Sequence, residues 1–213
     1  MREFLDELKP YATPCNLAIM GITVLCYILQ VIFDNVSGTD AATSGCALAW
    51  WLVFEEHQYY RLLTYMFLHG SVSHLFNNML VLGFTGSFVE RQLGALKYAA
   101  AYISTGLVAG LTSAAYNRWC FNNSTGAAVY YSYSLGASGA VFGVVGALFY
   151  IVMINRGRVQ GVTLRQLVLF IILSIYAGIS STGIDNTAHI GGVIFGIISA
   201  AILYRRDPAS FGD

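Results

Sequence analysis

Two residues capable of covalent chemistry stand at the beginnings of apolar segments of this chain. Ser138 lies in the run GASGAVFG at 136–143, and His189 lies in AHIGG at 188–192. Serine becomes a nucleophile when a base takes its proton, and histidine, whose unperturbed pKa is about 6.5, suits that task near neutral pH. Because hydrocarbon penalises polar groups that lack a task or partner, such residues are functional-site hypotheses. Together they predict a serine hydrolase site within a lipid bilayer.

The composition is that of an integral membrane protein. Of the 213 residues, 56% are hydrophobic and 10% are charged, and the mean hydropathy is +0.62. Ordinary soluble domains carry about 25% charged residues. The 11 basic and 11 acidic residues balance, so the sequence gives no indication of a nucleic-acid partner. The partner that composition does predict is the lipid bilayer.

Six apolar runs are long enough to cross a bilayer, which takes about 20 helical residues. The first follows a charged start, and we interpret it as a transmembrane helix and not as a cleavable signal peptide. The predicted fold is an all-α polytopic membrane protein, with a six-helix bundle at 15–204, an N-terminal segment at 1–14 and a tail at 205–213. The predicted spans are 15–33, 72–91, 95–116, 135–154, 166–182 and 187–204.

The basic residues predict the orientation of the bundle. Lys and Arg in short loops accumulate on the cytoplasmic side of a membrane. With six spans, nine of the 11 basic residues fall on the side of both termini, and only Arg61 and Arg118 fall opposite. We therefore expect both termini to be cytoplasmic, which places the beginnings of spans two, four and six at the outer face.

This orientation brings polar groups of three spans to one depth. Ser138 and His189 lie at the outer ends of spans four and six, and His74 and Asn78, one turn apart, lie at the outer end of span two. Negative charge on an attacked carbonyl oxygen needs preorganised donors. We expect His74, Asn78 and the amide of Gly139 to supply them, aided by the positive end of the helix that Ser138 begins.

Glycines predict a close approach of spans four and six. Gly139, Gly143 and Gly146 in one span, and Gly192 and Gly196 in the other, recur at helical spacing that lets backbones come near. A serine side chain is so short that it reaches an imidazole, at about 2.6–3.2 Å, only across such an interface. The alternative is that these glycines only pack helices together.

The base lacks an evident acidic partner in the sequence. No Asp or Glu lies at the depth of Ser138 and His189. A dyad is therefore favoured over a triad, with Asp185, in the loop before span six, as the alternative third member.

Two long outer segments separate the spans. Residues 34–71 carry a cluster of Trp and Tyr side chains, which suits the membrane interface, and residues 117–134 are polar. Cys46 and Cys120 lie one in each segment, so a disulfide between them in an oxidising compartment stays open as an alternative to free thiols.

These motifs resemble those of the rhomboid intramembrane serine proteases, and the resemblance covers nearly the whole chain. Residues 136–139 are similar to the family's Gly-x-Ser-Gly nucleophile motif, and 188–192 are similar to its base motif. Residues 74–78 are similar to its span-two oxyanion motif, with His69 at the companion histidine position. Each motif is short, and their order and spacing across the chain carry the resemblance.

The resemblance implies a serine endopeptidase without cofactor or metal, in which Ser138 and His189 cleave transmembrane segments of membrane proteins near the outer face. The substrate segment must be helix-destabilised, because a helix hides its carbonyls in hydrogen bonds. Span five and the adjoining outer loop are the expected gate, with 182–186 in the cap. We expect a multi-pass protein, in the plasma membrane if the host is bacterial. The resemblance also implies supporting roles for His69, Gly136, Phe142 and Gly192.

Two positions depart from this pattern, and a third places a charge at the inner end of span two. Tyr60 stands where the family has Trp before Arg61, which questions the anchoring of the first outer segment. Phe142 stands where tyrosine is frequent, and it can stack on His189 but offers no hydroxyl. Glu90, at the inner end of span two, is interpreted as a structural residue in a helix-end salt bridge.

Two other functions compete with proteolysis. One is a rhomboid-like protein that binds membrane clients without cleaving them, as derlins do, although such proteins generally lack the serine and histidine that this chain has. The other is a metal site or transporter, which has neither a His-Glu-x-x-His motif nor a favourable histidine spacing. The histidines it would use are His57, His69, His74 and His189.

Overall fold

The computed structural model describes residues 12–123, 132–159, 161–179 and 183–206. Within them the chain forms nine α-helices, a 3₁₀ turn at Tyr65–Phe67 and a two-stranded antiparallel hairpin. The helices are α1 (Pro14–Ser37), α2 (Ala41–Cys46), α3 (Trp50–Phe54), α4 (Arg61–Thr64), α5 (Val72–Leu93), α6 (Ala95–Asn123), α7 (Ser138–Ile154), α8 (Leu164–Ile179) and α9 (Asn186–Leu203), and the strands are β1 (Arg158–Val159) and β2 (Val162–Thr163).

A helix occupies each of the six predicted spans. The main difference in length is α6, which continues to Asn123 where the sequence prediction ends at 116. The first residues of the polar segment 117–134 therefore continue the helix as far as Asn123. No Gly or Pro interrupts the chain between Gly110 and Asn123, so the backbone has no local reason to leave the helix.

The architecture fits a polytopic helical membrane fold. Among the described helices, α1 and α9 are long and apolar enough to cross a membrane, while α7 and α8 are apolar but shorter. The long helices α5 and α6 carry more polar residues, many of them buried inside the bundle. Six crossings and the cytoplasmic placement of both termini stay predictions.

The helix that begins with Ser138 is the centre of the bundle. Every α7 residue from Gly139 to Leu148 is buried, as expected for a helix that is apolar on all sides. It packs against α9, α6 and α5. In contrast, the described part of α8 buries only Leu167 and Gly178. The serine helix is therefore enclosed by three neighbours, whereas α8 lies at the periphery.

The first long helix turns its polar side inward. The buried residues of α1 are Asn16, Thr23 and Gln30, which are all polar and seven residues apart. Its large apolar side chains, such as Leu25 and Ile32, are exposed. Two turns of helix take about seven residues, so the three polar residues form one stripe facing the bundle. An apolar outer face and a polar inner stripe suit a helix surrounded by lipid.

Hydrogen bonds establish which helix ends lie together. Asn155 Nδ2 donates to the hydroxyl of Tyr204 at 2.9 Å, and that hydroxyl donates to Gln92 Oε1 at 3.4 Å. Lys97 Nζ donates to the carbonyl of Leu203 at 3.3 Å. The ends of α5, α7 and α9 therefore share one end of the bundle with the beginning of α6. The beginnings of α5, α7 and α9 share the opposite end, which we call the Ser138 end.

The segment between α1 and α5 is folded onto the bundle at the Ser138 end. Trp50 is 2% exposed and packs on Phe121, with ring centroids 5.0 Å apart. The buried Arg61 donates from Nη1 to the carbonyls of Ser44, at 2.8 Å, and Ala47, at 2.6 Å. The arginine therefore anchors this segment, and the Tyr-for-Trp change beside it leaves that anchoring intact.

Two smaller features also bear on the sequence predictions. The all-α prediction omits the hairpin between α7 and α8, because two-residue strands are too short to produce an alternating pattern.

All four cysteines are free thiols, so the structure does not contain a disulfide between Cys46 and Cys120.

Glu90 attaches the beginning of α1 to the end of α5. Its carboxylate accepts hydrogen bonds from the amides of Cys15, at 3.0 Å, and Asn16, at 2.7 Å. These amides belong to the first turn of α1, where N–H groups have no acceptor within the helix and a negative charge is favourable. Glu90 is 4% exposed. Glu90 has a structural contact, as the sequence indicated, but the partners recorded for its carboxylate are backbone amides of another helix, where the sequence prediction was a helix-end salt bridge.

We predict that Glu90→Ala lowers the free energy of unfolding by about 2–4 kcal/mol, because two buried amides lose a charged acceptor. Thermal unfolding in detergent measures the change. The matched control is Glu56→Ala, which removes an exposed carboxylate and should leave the Tm unchanged. Equal Tm values for the two variants would contradict the structural role of Glu90.

Candidate active site

Ser138 and His189 are in direct contact at one end of the bundle. Ser138 Oγ lies 2.9 Å from His189 Nε2, within the range of a nucleophile–base hydrogen bond. Ser138 begins α7 and is half-buried, while His189 lies in the first turn of α9 and is 7% exposed. When the serine hydroxyl donates this bond, Nε2 is the acceptor and the ring proton is on Nδ1. The arrangement can activate a serine.

An aromatic face orients the imidazole of His189. Among the described residues, none accepts a hydrogen bond from its Nδ1. The ring stacks on Phe142, with centroids 4.1 Å apart and planes 12° apart. Phe142 stacks in turn on Phe170 of α8, at 6.1 Å. The orientation that a carboxylate gives the base in a triad is therefore supplied here by Phe142.

Asp185 serves the backbone and the neighbouring segments. Its Oδ1 caps α9 by accepting from the amide of Ala188 at 2.9 Å. Its Oδ2 accepts from the hydroxyl of Ser134, at 2.8 Å, and from that of Ser113. One carboxylate thus ties the beginning of α9 to α6 and to the segment leading into α7. Asp185 and His189 are joined only through the backbone in the described structure, where the His189 amide donates to the Asp185 carbonyl at 3.2 Å. The geometry favours a dyad, because no hydrogen bond between the Asp185 carboxylate and the His189 imidazole is found among the described residues.

The contact between serine and histidine depends on the close packing of α7 against α9. A Cβ atom added at Gly192 would collide with the carbonyl oxygen of Gly139, and one at Gly196 would collide with the carbonyl oxygen of Gly143. Backbone atoms cannot yield as a flexible side chain does, so any side chain at either position would separate the helices. The glycine spacing in the sequence predicted this interface.

The predicted oxyanion residues gather around the turn that precedes Ser138. Gly136 has φ +127°, which favours glycine. A Cβ atom there would lie 2.7 Å from His74 Cε1 and 3.8 Å from Asn78 Nδ2. The ring of His69 lies 5.0 Å from that of His74. The structure therefore brings three polar side chains of the α5 region to within contact of the serine turn.

His69 is a hydrogen-bond acceptor in this group. Its Nε2 lies 3.1 Å from Asn78 Nδ2 and 3.5 Å from the amide nitrogen of Ala137. Because both partners can only donate, Nε2 carries no proton. Burial, with a smaller contribution from His74, lowers the pKa of His69 to about 4, which agrees with a neutral ring. His69 thereby orients the Asn78 amide and the backbone next to Ser138.

The amides at the beginning of α7 complete the set of donors. Ser138 and Gly139 are the first two residues of this helix, and N–H groups of a first turn find no acceptor within the helix. Gly139 itself is tightly enclosed, because a Cβ atom there would lie 2.7 Å from Ala109 Cβ. Backbone donors and the positive end of α7 therefore lie beside the nucleophile.

Sequence reasoning missed several residues that support this site. Gln30 of α1 bonds both backbone groups of His69, and Ser113 and Ser134 hold the carboxylate of Asp185. A lone carboxamide in an apolar helix is a signal that was available for Gln30. The two serines lie among other small polar residues and carry no such signal.

The histidines do not converge as a metal site would require. In the part of the chain that the structure describes, no three His, Cys, Asp or Glu side chains form a group able to hold a metal ion. His69 and His74 are neighbours and His189 contacts Ser138. His57 lies in the segment between α1 and α5, where its Nδ1 is 3.0 Å from the hydroxyl of Tyr59.

Comparison with known proteins gives a consistent result. Residues 56–206 match the family model described as Rhomboid domain. The chain is 32% identical over 193 residues to rhomboid protease GluP of Bacillus subtilis, which covers 91% of this chain and 35% of that protein. It is 32% identical over 209 residues to rhomboid protease AarA of Providencia stuartii (90% and 73%) and 29% identical over 204 residues to rhomboid protease GlpG of Yersinia pestis (92% and 65%).

The chain is thus similar over most of its length to proteins named as rhomboid proteases. The chain belongs to the rhomboid family. It spans 35% of the length of the Bacillus subtilis relative, so the match covers one part of that longer protein.

We predict that Gly192→Ala lowers the free energy of unfolding by about 1–3 kcal/mol, because its methyl group meets the Gly139 carbonyl. A displacement of about 1 Å between serine and histidine should also lower turnover about 10²-fold. Gly21→Ala is the matched control, since nothing lies within 4 Å of a Cβ atom there. Wild-type turnover in Gly192→Ala would show that the close helix contact is dispensable.

Proposed function

We propose that this chain is an intramembrane serine endopeptidase that cleaves transmembrane segments of membrane proteins near the outer face of the bilayer. The observation that carries the proposal is the 2.9 Å contact between Ser138 Oγ and His189 Nε2 at one end of an apolar helical bundle. Membership of the rhomboid family supports it.

The proposed reaction follows from the roles that the two side chains can take. Ser138 Oγ attacks the scissile carbonyl carbon while His189 Nε2 accepts the hydroxyl proton. When the tetrahedral intermediate collapses, His189 gives this proton to the leaving amine and an acyl-serine remains. Water, deprotonated by the same histidine, then releases the new carboxylate and restores the serine.

Four groups are proposed to stabilise the negative charge on the attacked oxygen. Asn78 Nδ2 donates one hydrogen to His69, and its second hydrogen remains for the oxyanion. The His74 ring lies beside the same turn, and the amides of Ser138 and Gly139 are first-turn donors. Preorganised donors of this kind typically contribute about 10² to 10³ in rate each.

A transmembrane segment would have to enter the bundle from the side and unwind. The peripheral helix α8 supports entry there, because it buries little of its surface. An apolar cavity of about 540 Å³ lies between α5 and α8, lined by residues such as Phe84, Phe88 and Phe170. We propose substrates with small or helix-breaking residues near the cleavage site, since these reduce the cost of unwinding.

The sequence also predicted that residues 182–186 form part of the cap over the site. Of these, residue 182 lies outside the described residues.

The proposed outer location of the site rests on the distribution of basic residues. Arg91, Lys97, Arg165 and Arg205 lie at the helix ends opposite the Ser138 end, the side that the positive-inside rule makes cytoplasmic. The N-terminal segment 1–11 and its basic residues lie outside the described residues, as does the tail from 207 onward. In a bacterial host the protein would reside in the plasma membrane.

We predict that Ser138→Ala and His189→Ala each lower turnover by about 10⁴-fold or more, with no further loss in the double variant, because nucleophile and base act as a unit. A serine-directed fluorophosphonate probe should label the parent and neither variant. Thermal unfolding of each variant serves as the folding control. Parental turnover in Ser138→Ala would refute the proposal. No labelling of a folded parent would favour a protein that binds membrane clients without cleaving them.

We predict that Asp185→Asn retains turnover within about tenfold of the parent, because asparagine caps a helix as well as aspartate does. A triad would behave differently, since loss of its acid lowers kcat by about 10⁴-fold. Asp185→Ala, which loses the cap, should lower the free energy of unfolding by about 1 kcal/mol. Initial rates on one substrate distinguish the two mechanisms, and a 10⁴-fold loss in Asp185→Asn would establish the triad.

A further inference from the structure

Gln30 is the last residue of the polar stripe on α1, on the side of the Ser138 end. Its side chain makes three hydrogen bonds to residues outside α1. It is 7% exposed. Its Oε1 accepts from the amide of His69 at 3.0 Å, and its Nε2 donates to the carbonyl of the same residue at 3.2 Å. One carboxamide therefore satisfies both backbone groups of His69.

A second pair of residues fixes the orientation of the Gln30 carboxamide. Gln30 Nε2 also donates to Thr43 Oγ1 at 2.9 Å. The hydroxyl of Thr43 donates its own proton to Asp34 Oδ2 at 2.9 Å, so its oxygen can only accept from Gln30. A reversed carboxamide would place Oε1 against both the Thr43 oxygen and the His69 carbonyl, and it would lose all three hydrogen bonds.

The hydrogen bonds continue from His69 to the proposed site. With its backbone held by Gln30, the buried His69 ring presents Nε2 to Asn78 Nδ2, at 3.1 Å, and to the amide of Ala137, at 3.5 Å. The Asn78 carboxamide has two Nδ2 hydrogens, and a partner for one of them determines where the other points. A connected path of short contacts thus runs from α1 to the group that would stabilise the oxyanion.

We propose that Gln30 is a positioning residue, which fixes His69 and thereby directs the free hydrogen of Asn78 Nδ2 toward the oxyanion. This inference rests on the proposed serine protease function. Gln30 touches neither substrate nor reacting atoms, so in this role it acts through His69 and Asn78.

A purely structural role for Gln30 makes a different prediction. Polar residues that face inward from membrane helices also bond neighbouring helices and add stability without any part in catalysis. In that case the loss of Gln30 would lower activity independently of Asn78. A positioning role requires the opposite, because removing Asn78 removes the group that Gln30 orients.

A double-mutant cycle on kcat and KM separates the two roles. Gln30→Met keeps the length of the side chain and removes its hydrogen bonds, and we expect it to lower kcat about tenfold with KM nearly unchanged, a fraction of what an oxyanion donor contributes. In the Asn78→Ala background the same substitution should change kcat less than about twofold. A tenfold loss that persists in that background would overturn the proposal.

Thr23→Val is the matched control for the cycle. Thr23 lies one heptad earlier on the same stripe, is fully buried, and donates to the carbonyl of Ile19 in its own helix, at 2.8 Å. Its kcat should equal that of the parent. If Gln30→Met does not fold, Thr43→Val replaces it, because it removes the partner that fixes the carboxamide. Equal losses from Thr43→Val with and without Asn78 would likewise overturn the proposal.

Every rate in this cycle is compared with substrate cleavage by the parent protein, counting only the cleavage that Ser138→Ala abolishes. Absence of that turnover would refute the protease function itself. An active parent in which the Gln30 and Asn78 losses add would refute only the positioning role.

Discussion

The contact between the α7 and α9 backbones is the constraint on which the rest of the structure depends. A serine side chain has one rotatable heavy-atom bond and cannot extend to follow a retreating partner, so the helix separation sets the distance to the imidazole. Helix α7 cannot shift away to relieve strain either. On its other side Gly143 lies against Thr105 of α6, where a Cβ atom would collide with the threonine side chain. The central helix is thus held between two neighbours, both of which approach its backbone.

Lipid explains why polar contacts appear where a soluble protein would have apolar ones. Hydrocarbon chains are as apolar as leucine, so burying leucine between helices gains little in a membrane, and association relies on small residues and hydrogen bonds. The inward stripe of α1 follows this rule. At one end of the helix, Asn16 donates a hydrogen bond to the carbonyl of Leu82 and accepts one from the hydroxyl of Tyr98. At the other end, Gln30 donates to the carbonyl of His69. The outer face of the same helix is left for lipid.

The sequence predicted the helices and the serine–histidine contact because both leave strong local signals. Long apolar runs are distinctive, and a serine or histidine among them stands out, so Ser138, His189, His74 and Asn78 were identified together. The folding of the segment between α1 and α5 onto the bundle could not be anticipated in detail, since Arg61 Nη1 donates to two backbone carbonyls, which any sequence provides. The cap formed by Asp185 was also missed as such, because an aspartate before a helix looks the same whether its partner is an imidazole or an amide.

Two hydrogen bonds between the beginning of α7 and the beginning of α9 join residues with the same separation in sequence. Ser134 with Asp185 and Ser138 with His189 are each separated by 51 residues. The two chain segments therefore run in the same direction and advance together. If α9 slipped by one residue along α7, His189 would move by about 1.5 Å along the axis and turn by about 100° relative to Ser138, and Asp185 would move with its helix. Both bonds would break at once, so the pairing of these helices has a single correct alignment, and any misaligned form lacks the serine–histidine contact.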